Sequence, residues 1–313
     1  MALHTGIHTA FAAFSYIGKA MNKKMIEPMV GTLVACLLGA LVAWAGSQGS
    51  VVWLNNWSLF ACCVAFAFVV NWLVFIPSFL AHTEHFFDLT GSLTYLSVLA
   101  FGLAYGPSDP RAVLIAVLVA IWAMRLGSFL FSRVRAAGSD SRFDKMKHMF
   151  LQFLMTWTLQ GLWVSFTLAA GLVALTTATP KPLDWACALG LLVWIAGFSI
   201  EVIADRQKTQ FKADPANEGR FISTGLWSWS RHPNYLGEIV LWAGVAIIAL
   251  PVMQGWQLIG LISPLFVFVL LTYVSGVRLL ENQGKRRWGN DPAYQEYVAN
   301  TPVLLLSKPK PLS

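Results

Sequence analysis

Long apolar runs separated by short polar stretches cover most of this chain. Eight can be marked, at about 29–46, 57–81, 89–106, 111–131, 150–177, 185–204, 234–250 and 257–280. Each comes near or exceeds the roughly 20 apolar residues that a helix needs to cross a bilayer. Inside hydrocarbon a backbone must satisfy its own hydrogen bonds, which a helix does within itself. The pattern therefore predicts an all-α polytopic membrane protein of about eight transmembrane helices, with seven or nine as the neighbouring counts. Before the first run, Ile7, Phe11, Phe14, Ile17 and Met21 recur at helical spacing among polar residues. This predicts an interfacial amphipathic segment over 1–28. The remainder, 29–313, reads as a single transmembrane domain, with substrate-side helices in its first half and 200–305 as its cofactor-binding half.

Composition agrees with this reading. Of the 313 residues 57 % are hydrophobic and only 12 % charged, against about 25 % charged in a soluble domain. Cys36, Cys62, Cys63 and Cys187 all fall in apolar runs, where a thiol acts as a small packing group. His4 and His8 stand four apart without a third ligand nearby, so no metal site is expected. The net charge of +7 belongs to topology. If the eight segments alternate, 18 of the 22 Lys and Arg fall on the side that holds both termini, and two on the other. The positive-inside rule then places the termini and the large polar loops in the cytoplasm. No basic stripe with interleaved aromatics suggests a nucleic-acid partner. The oligomeric state is not encoded in any pattern.

The densest chemistry lies between Glu201 and Glu238. Pro233 suits the first turn of a helix, and the apolar run after it supplies the rest. Asn234, Tyr235 and Glu238 then share one face of the opening turns. Arg231 and His232 lie just outside a helix N-terminus, where free N–H groups favour an anion such as a phosphate. A solvated loop beside a proline-started helix fits the same residues. Arg125, Glu201, Glu238, Arg278 and Glu281 fall within or at the ends of apolar segments, which is costly without a partner or a polar cavity. Interhelical ion pairs and a cavity between helices both remain open.

Several of these residues together resemble one known group. Asp205-Arg206-Gln207-Lys208, Phe211-Lys212, Gly225-Leu226-Trp227, then Ser230-Arg231-His232-Pro233-Asn234-Tyr235-Leu236-Gly237-Glu238 is similar to the C-terminal signature of the steroid 5α-reductase and sterol reductase superfamily. The tail Asp291-Pro292-Ala293-Tyr294-Gln295-Glu296-Tyr297 resembles that superfamily's ending. The match covers about 200–305, with its motifs in order.

The resemblance implies a membrane reductase that transfers hydride from NADPH to a C=C bond of an apolar, steroid-, sterol- or isoprenoid-like substrate. It implies a cofactor cleft opening to the cytoplasm. Asp205, Asn234 and Glu238 would meet the nicotinamide ribose, Lys212 and Arg231 the phosphates, and Lys208 would also bind the cofactor. His232, Tyr235 and Glu281 would line the same cleft, with Tyr294 and Tyr297 closing over it. No Gly-x-Gly-x-x-Gly follows a strand, so the soluble dinucleotide-binding fold is not expected.

Relatives that reduce steroids carry a Glu and a Tyr that polarise the substrate carbonyl. Phe75 and Phe129 occupy those positions here. Glu84, on the loop between segments two and three, and Tyr95, in segment three, are the candidate proton donors. Trp157, Trp163, Trp194, Trp227 and Trp229 are candidates for an apolar tunnel. The shorter Arg-His-Pro-x-Tyr-x-Gly motif also resembles S-adenosylmethionine-dependent isoprenylcysteine and phospholipid methyltransferases. A non-catalytic lipid-binding relative is a third reading.

Overall fold

A computed structural model describes residues 25–308 apart from 139 and 141. The amphipathic segment expected over 1–28 therefore lies outside the described residues up to 24. Helix α1 (Met25–Gly46) is followed by a two-stranded hairpin, β1 (Val52–Leu54) and β2 (Trp57–Ser58), and then by α2 (Leu59–Leu80), α3 (Phe87–Tyr105) and α4 (Pro110–Ala137). Next come α5 (Phe150–Thr167), α6 (Ala169–Thr176), α7 (Trp185–Ala213), α8 (Pro233–Ala249), α9 (Ile262–Val269), α10 (Val277–Trp288) and α11 (Pro292–Asn300). Seven helical stretches are long and apolar enough to span a bilayer. The pair α5–α6, bent by 60°, makes eight when counted as one span. The protein is an all-α polytopic membrane protein apart from the short hairpin.

The chain forms two compact units. The first combines the described residues up to Trp44 with those of Ala61–Phe101 and Ala123–Ser165. Its centre is a set of buried aromatics: Phe75, Phe143, Phe153 and Trp157. Offset and edge-on ring pairs of this kind contribute about 0.5–1.5 kcal/mol beyond the area they bury. Phe75 thus stands where a carbonyl-polarising Glu was sought, and it packs edge-on against Phe150. Polar side chains join helices here. Asn71 donates to Thr94 at 3.3 Å and the Trp72 indole to Thr158 at 3.0 Å, bonds that replace the water absent from a bilayer.

The second unit combines Ala45–Phe60, Gly102–Trp122 and the described residues from Phe166 onward. Its spine is the antiparallel pair α7 and α8. Two glycine pairs bring these helices into near-backbone contact. A Cβ on Gly197 would stand 2.6 Å from the Gly237 carbonyl, and one on Gly190 2.6 Å from the Gly244 carbonyl. Gly190 and Gly197 on α7, like Gly237 and Gly244 on α8, are seven residues apart, so the glycines of each helix fall on one face. Small residues at such a seam let helices approach closely enough for van der Waals attraction to hold them in lipid.

At one end of this unit Arg111 is fully buried. It pairs with Asp184 at 3.0 Å and donates to the carbonyls of Pro182 and Ile248. The bend between α5 and α6 has a local cause as well. The Thr167 carbonyl, at the break, accepts a hydrogen bond from the Ser263 hydroxyl, and a side chain inserted into the helical ladder is a standard source of a kink. Cys63 and Cys187 are buried, Cys36 and Cys62 half-buried, and all four are free thiols.

Candidate functional site

The cleft forms at the end of the second unit where α7 stops and α8 begins. The glycine seam sets the register of the two helices and brings Asp205 on α7 opposite Asn234 on α8. There the Asn234 amide donates to the carboxylate at 3.2 Å. Gln207, two residues further along α7, accepts from the Leu226 amide at 2.9 Å. That bond holds the tight turn at Gly225, whose φ of +60° suits glycine. The turn directs Trp227 inward, and its indole donates to the Ala204 carbonyl at 3.0 Å. The Lys208 ammonium lies 4.6 Å from the centre of the Trp227 ring. The Gln-Lys pair of the sequence motif is thus a brace for the loop that precedes α8.

α8 starts at Pro233 with His232 as its unassisted N-cap. The first-turn geometry read from the sequence is present, and the His232 ring stacks on Tyr235 at 5.6 Å. Glu281, reaching in from α10, joins the pair ahead of the helix. One oxygen takes Arg231 Nη1 at 2.5 Å, and the other takes His232 Nε2 at 2.8 Å. A carboxylate only accepts, so His232 carries a proton on Nε2. Arg231 Nε and His232 Nδ1 are buried without a protein partner.

The C-terminal tail completes the wall. Asp291 caps α11 by accepting from the Ala293 amide at 2.9 Å, with Pro292 in its first turn. The Tyr297 hydroxyl donates to the Trp227 carbonyl at 2.7 Å. Burial pushes this phenol's pKa well up, with the Arg231 charge partly opposing and Glu281 adding to the rise. Tyr297 is therefore a fixed tie rather than a movable cover. Tyr294 packs over Gly284, and its pKa is also raised, first by burial. Beyond α11 the chain returns across the start of α8. The Arg231 amide donates to the Pro302 carbonyl at 2.9 Å, and the Ser307 amide to the Trp229 carbonyl at 3.0 Å.

The result is a cleft of about 220 Å³. Lys208, Lys212, Arg220, Arg231 and Arg287 contribute five cations to its wall, against the single carboxylate of Glu281. The remaining wall is largely aromatic. Phe221 lies 5.1 Å from Tyr294 and 5.4 Å from Tyr297, ring to ring, and Trp288 closes one side by donating to the Gly219 carbonyl.

Of the residues named from sequence, Lys208, Lys212, Arg231, His232, Glu281, Tyr294 and Tyr297 line this cleft. Asp205 and Asn234 form the neighbouring contact between α7 and α8. Tyr235 supports His232 from behind, and Glu238 is half-buried on α8. Arg220, Phe221, Arg287 and Trp288 escaped the sequence reading. Their signal was present in the basic run Lys285-Arg286-Arg287 and in the aromatic that follows Arg220, but it needed the tail's return path to become legible.

Glu84 and Tyr95 belong to the first unit. Glu84 is buried, bonded to Lys147 Nζ at 2.8 Å and to the Asp140 amide at 3.1 Å. Burial alone would raise its pKa, but these bonds outweigh burial and lower it. Tyr95 is buried on α3. Arg125 stacks over the Phe129 ring at 5.7 Å. Among the described residues no group of three His, Cys, Asp or Glu is placed to hold a metal ion.

Comparison with known proteins gives a family and two distant relatives. The model of the family described as "Protein of unknown function (DUF1295)" matches residues 72–301. An uncharacterized protein of Schizosaccharomyces pombe is 23 % identical over 236 residues, which is 65 % of this chain and 66 % of that protein. A probable O-methyltransferase, ustE, of Ustilaginoidea virens is 28 % identical over 71 residues, 23 % of this chain and 25 % of that protein. The chain thus spans just under two thirds of the first relative's length. No solved structure matches it.

Proposed function

The chain belongs to the DUF1295 family, and from that premise and the chemistry of the cleft we propose that it is a membrane-embedded NADPH-dependent reductase. Its substrate is the C=C bond of an apolar steroid-, sterol- or isoprenoid-like lipid. The family falls in the steroid 5α-reductase-like group, and the observation that carries the reading is the charge balance of the cleft. Five cations against one carboxylate suit a ligand bearing a pyrophosphate and a further phosphate, because charge-assisted bonds to phosphate are about twice as strong as neutral ones. S-adenosylmethionine carries a sulfonium, an ammonium and one carboxylate, and such a wall repels it.

The residues fit a dinucleotide in other ways. Phe221, Trp288 and Tyr294 offer aromatic faces on which a base can stack. The unpartnered Arg231 Nε is a buried donor that an acceptor oxygen would satisfy. The cleft is smaller than the roughly 300–1,000 Å³ of a whole small-molecule site. It would therefore house one end of the cofactor, with the rest running toward the Asp205–Asn234 contact, whose amide and carboxylate suit ribose hydroxyls. When bound, the cofactor supplies a hydride to one carbon of the double bond, and the protein must supply a proton to the other.

Glu84, held ionised by Lys147, is a poor acid for that step. Cytoplasmic opening of the cleft follows from the excess of Lys and Arg on its side of the membrane.

Charge reversal tests the reading. Lys212→Glu combined with Arg220→Glu should weaken NADPH by about 100-fold or more, at roughly 1.5–3 kcal/mol per charged contact, and should leave or improve S-adenosylmethionine binding. An unchanged NADPH affinity would remove the cleft from the account. The 71-residue similarity to a probable O-methyltransferase makes S-adenosylmethionine the competing ligand. Its saturable binding to the unmodified protein, with none for NADPH, would make the protein a methyltransferase instead.

A further inference from the structure

We propose that the hairpin between α1 and α2 is an interfacial anchor that sits in the headgroup layer of the bilayer, at the opposite end of the second unit from the cleft. Its two-residue turn, Asn55–Asn56, has φ of +43° and +67°. This left-handed pair is what the tightest hairpins require, and Asn tolerates it best after glycine. Leu54 pairs with Trp57, and Val52 with Ser58.

The hairpin is rigidly fixed at its base. The Val51 amide donates to the Thr176 carbonyl at 2.7 Å, the Ala178 amide to the Gly49 carbonyl at 2.8 Å, and the Trp53 ring lies 4.8 Å from Tyr105. Yet its tip presents apolar side chains outward: Val52 is 66 % exposed, Leu54 53 % and Trp57 64 %. A fixed scaffold with this surface is costly to hold in water.

Continuity with the membrane identifies what covers it. The chain leaves the spanning helix α1 at Gly46 and re-enters the spanning helix α2 at Leu59. No charged residue lies anywhere between them. Trp185 and Trp256, both largely exposed, open two other spanning stretches. The Gly49–Thr177 region, Gln254 and Arg111–Asp184 tie these starts to the hairpin's end of the unit. Clustered indoles beside uncharged connections are the signature of the lipid–water boundary, where the ring sits at headgroup depth. Few basic residues share that end, so the occupant is the polar–apolar boundary of the bilayer itself rather than an acidic partner.

The test uses the full chain reconstituted into phosphatidylcholine nanodiscs, with the Trp53→Phe and Trp57→Phe variants. The wild-type minus variant difference in tryptophan emission reports each side chain. Lipids brominated near the carbonyl end of the acyl chain should quench the Trp57 difference about twofold or more beyond lipids brominated near the methyl end. Aqueous iodide should leave it unquenched. Quenching by iodide would place the hairpin in water and overturn the proposal. Protection from both quenchers would overturn it in favour of protein cover, most simply a second copy. Unchanged NADPH affinity in both variants is expected and keeps this test separate from the cofactor reading.

Discussion

Glu84 and Lys147 form an ion pair in the first unit, the carboxylate buried and the ammonium half-buried, and its chemistry fixes a pH dependence. The Glu84 pKa is lowered in the folded protein: burial pushes it up, and the Lys147 and Asp140 bonds more than reverse this. The bond's stabilisation is therefore fully present above the ordinary carboxylate value of about 4.3. It is lost as the pH falls through the lower folded value. Glu84→Gln leaves the half-buried Lys147 without its counter-charge, and should cost about 1–3 kcal/mol at neutral pH. It should also flatten the acid limb of a thermal-stability profile taken between neutrality and acid.

At this scale the sequence exposed the cluster but not its division. Arg231, His232 and Asn234 are neighbours in the chain, yet the first two line the cleft while Asn234 turns toward Asp205. Only the start of α8 and the tail's return separate them. Glu281 showed a similar limit. Its place at the end of an apolar segment marked it, but nothing local said that it would bridge Arg231 and His232.

Among the elements, the α7–α8 seam controls the site. The glycines at 190, 197, 237 and 244 meet at backbone distance, so a methyl group on any of them forces the helices apart. Gly197→Ala should destabilise the protein by about 1–3 kcal/mol, the usual cost of overpacking. It should also weaken cofactor binding, because Asp205 and Asn234 lose register. A variant that loses stability but keeps full affinity would uncouple the seam from the cleft. Gly237 was visible in the motif, and its partners were not, since a pairing across antiparallel helices leaves no local trace. The same holds for the bend after Thr167, made by a serine some hundred residues away in sequence. The hairpin at 52–58 was hidden because two short strands cannot announce themselves between long apolar runs. By contrast, each spanning helix was legible from its run length alone.

For the whole molecule, the charge distribution predicts orientation. α7 has 29 residues, about 43 Å at 1.5 Å per residue, which exceeds the roughly 30 Å hydrocarbon core. Lys181, just ahead of α7, and Glu218, just beyond it, therefore emerge on opposite sides. A membrane-impermeant thiol reagent applied to intact cells should label Lys181→Cys at once and Glu218→Cys only after lysis. The reverse order would place the cleft outside and contradict the positive-inside reading.

The most direct test of the central claim is equilibrium binding of NADPH and S-adenosylmethionine, measured side by side on the purified full-length protein by calorimetry at low and moderate salt. Saturable NADPH binding that weakens as salt rises is expected, with S-adenosylmethionine failing to compete. Tight S-adenosylmethionine binding with no response to NADPH would contradict it.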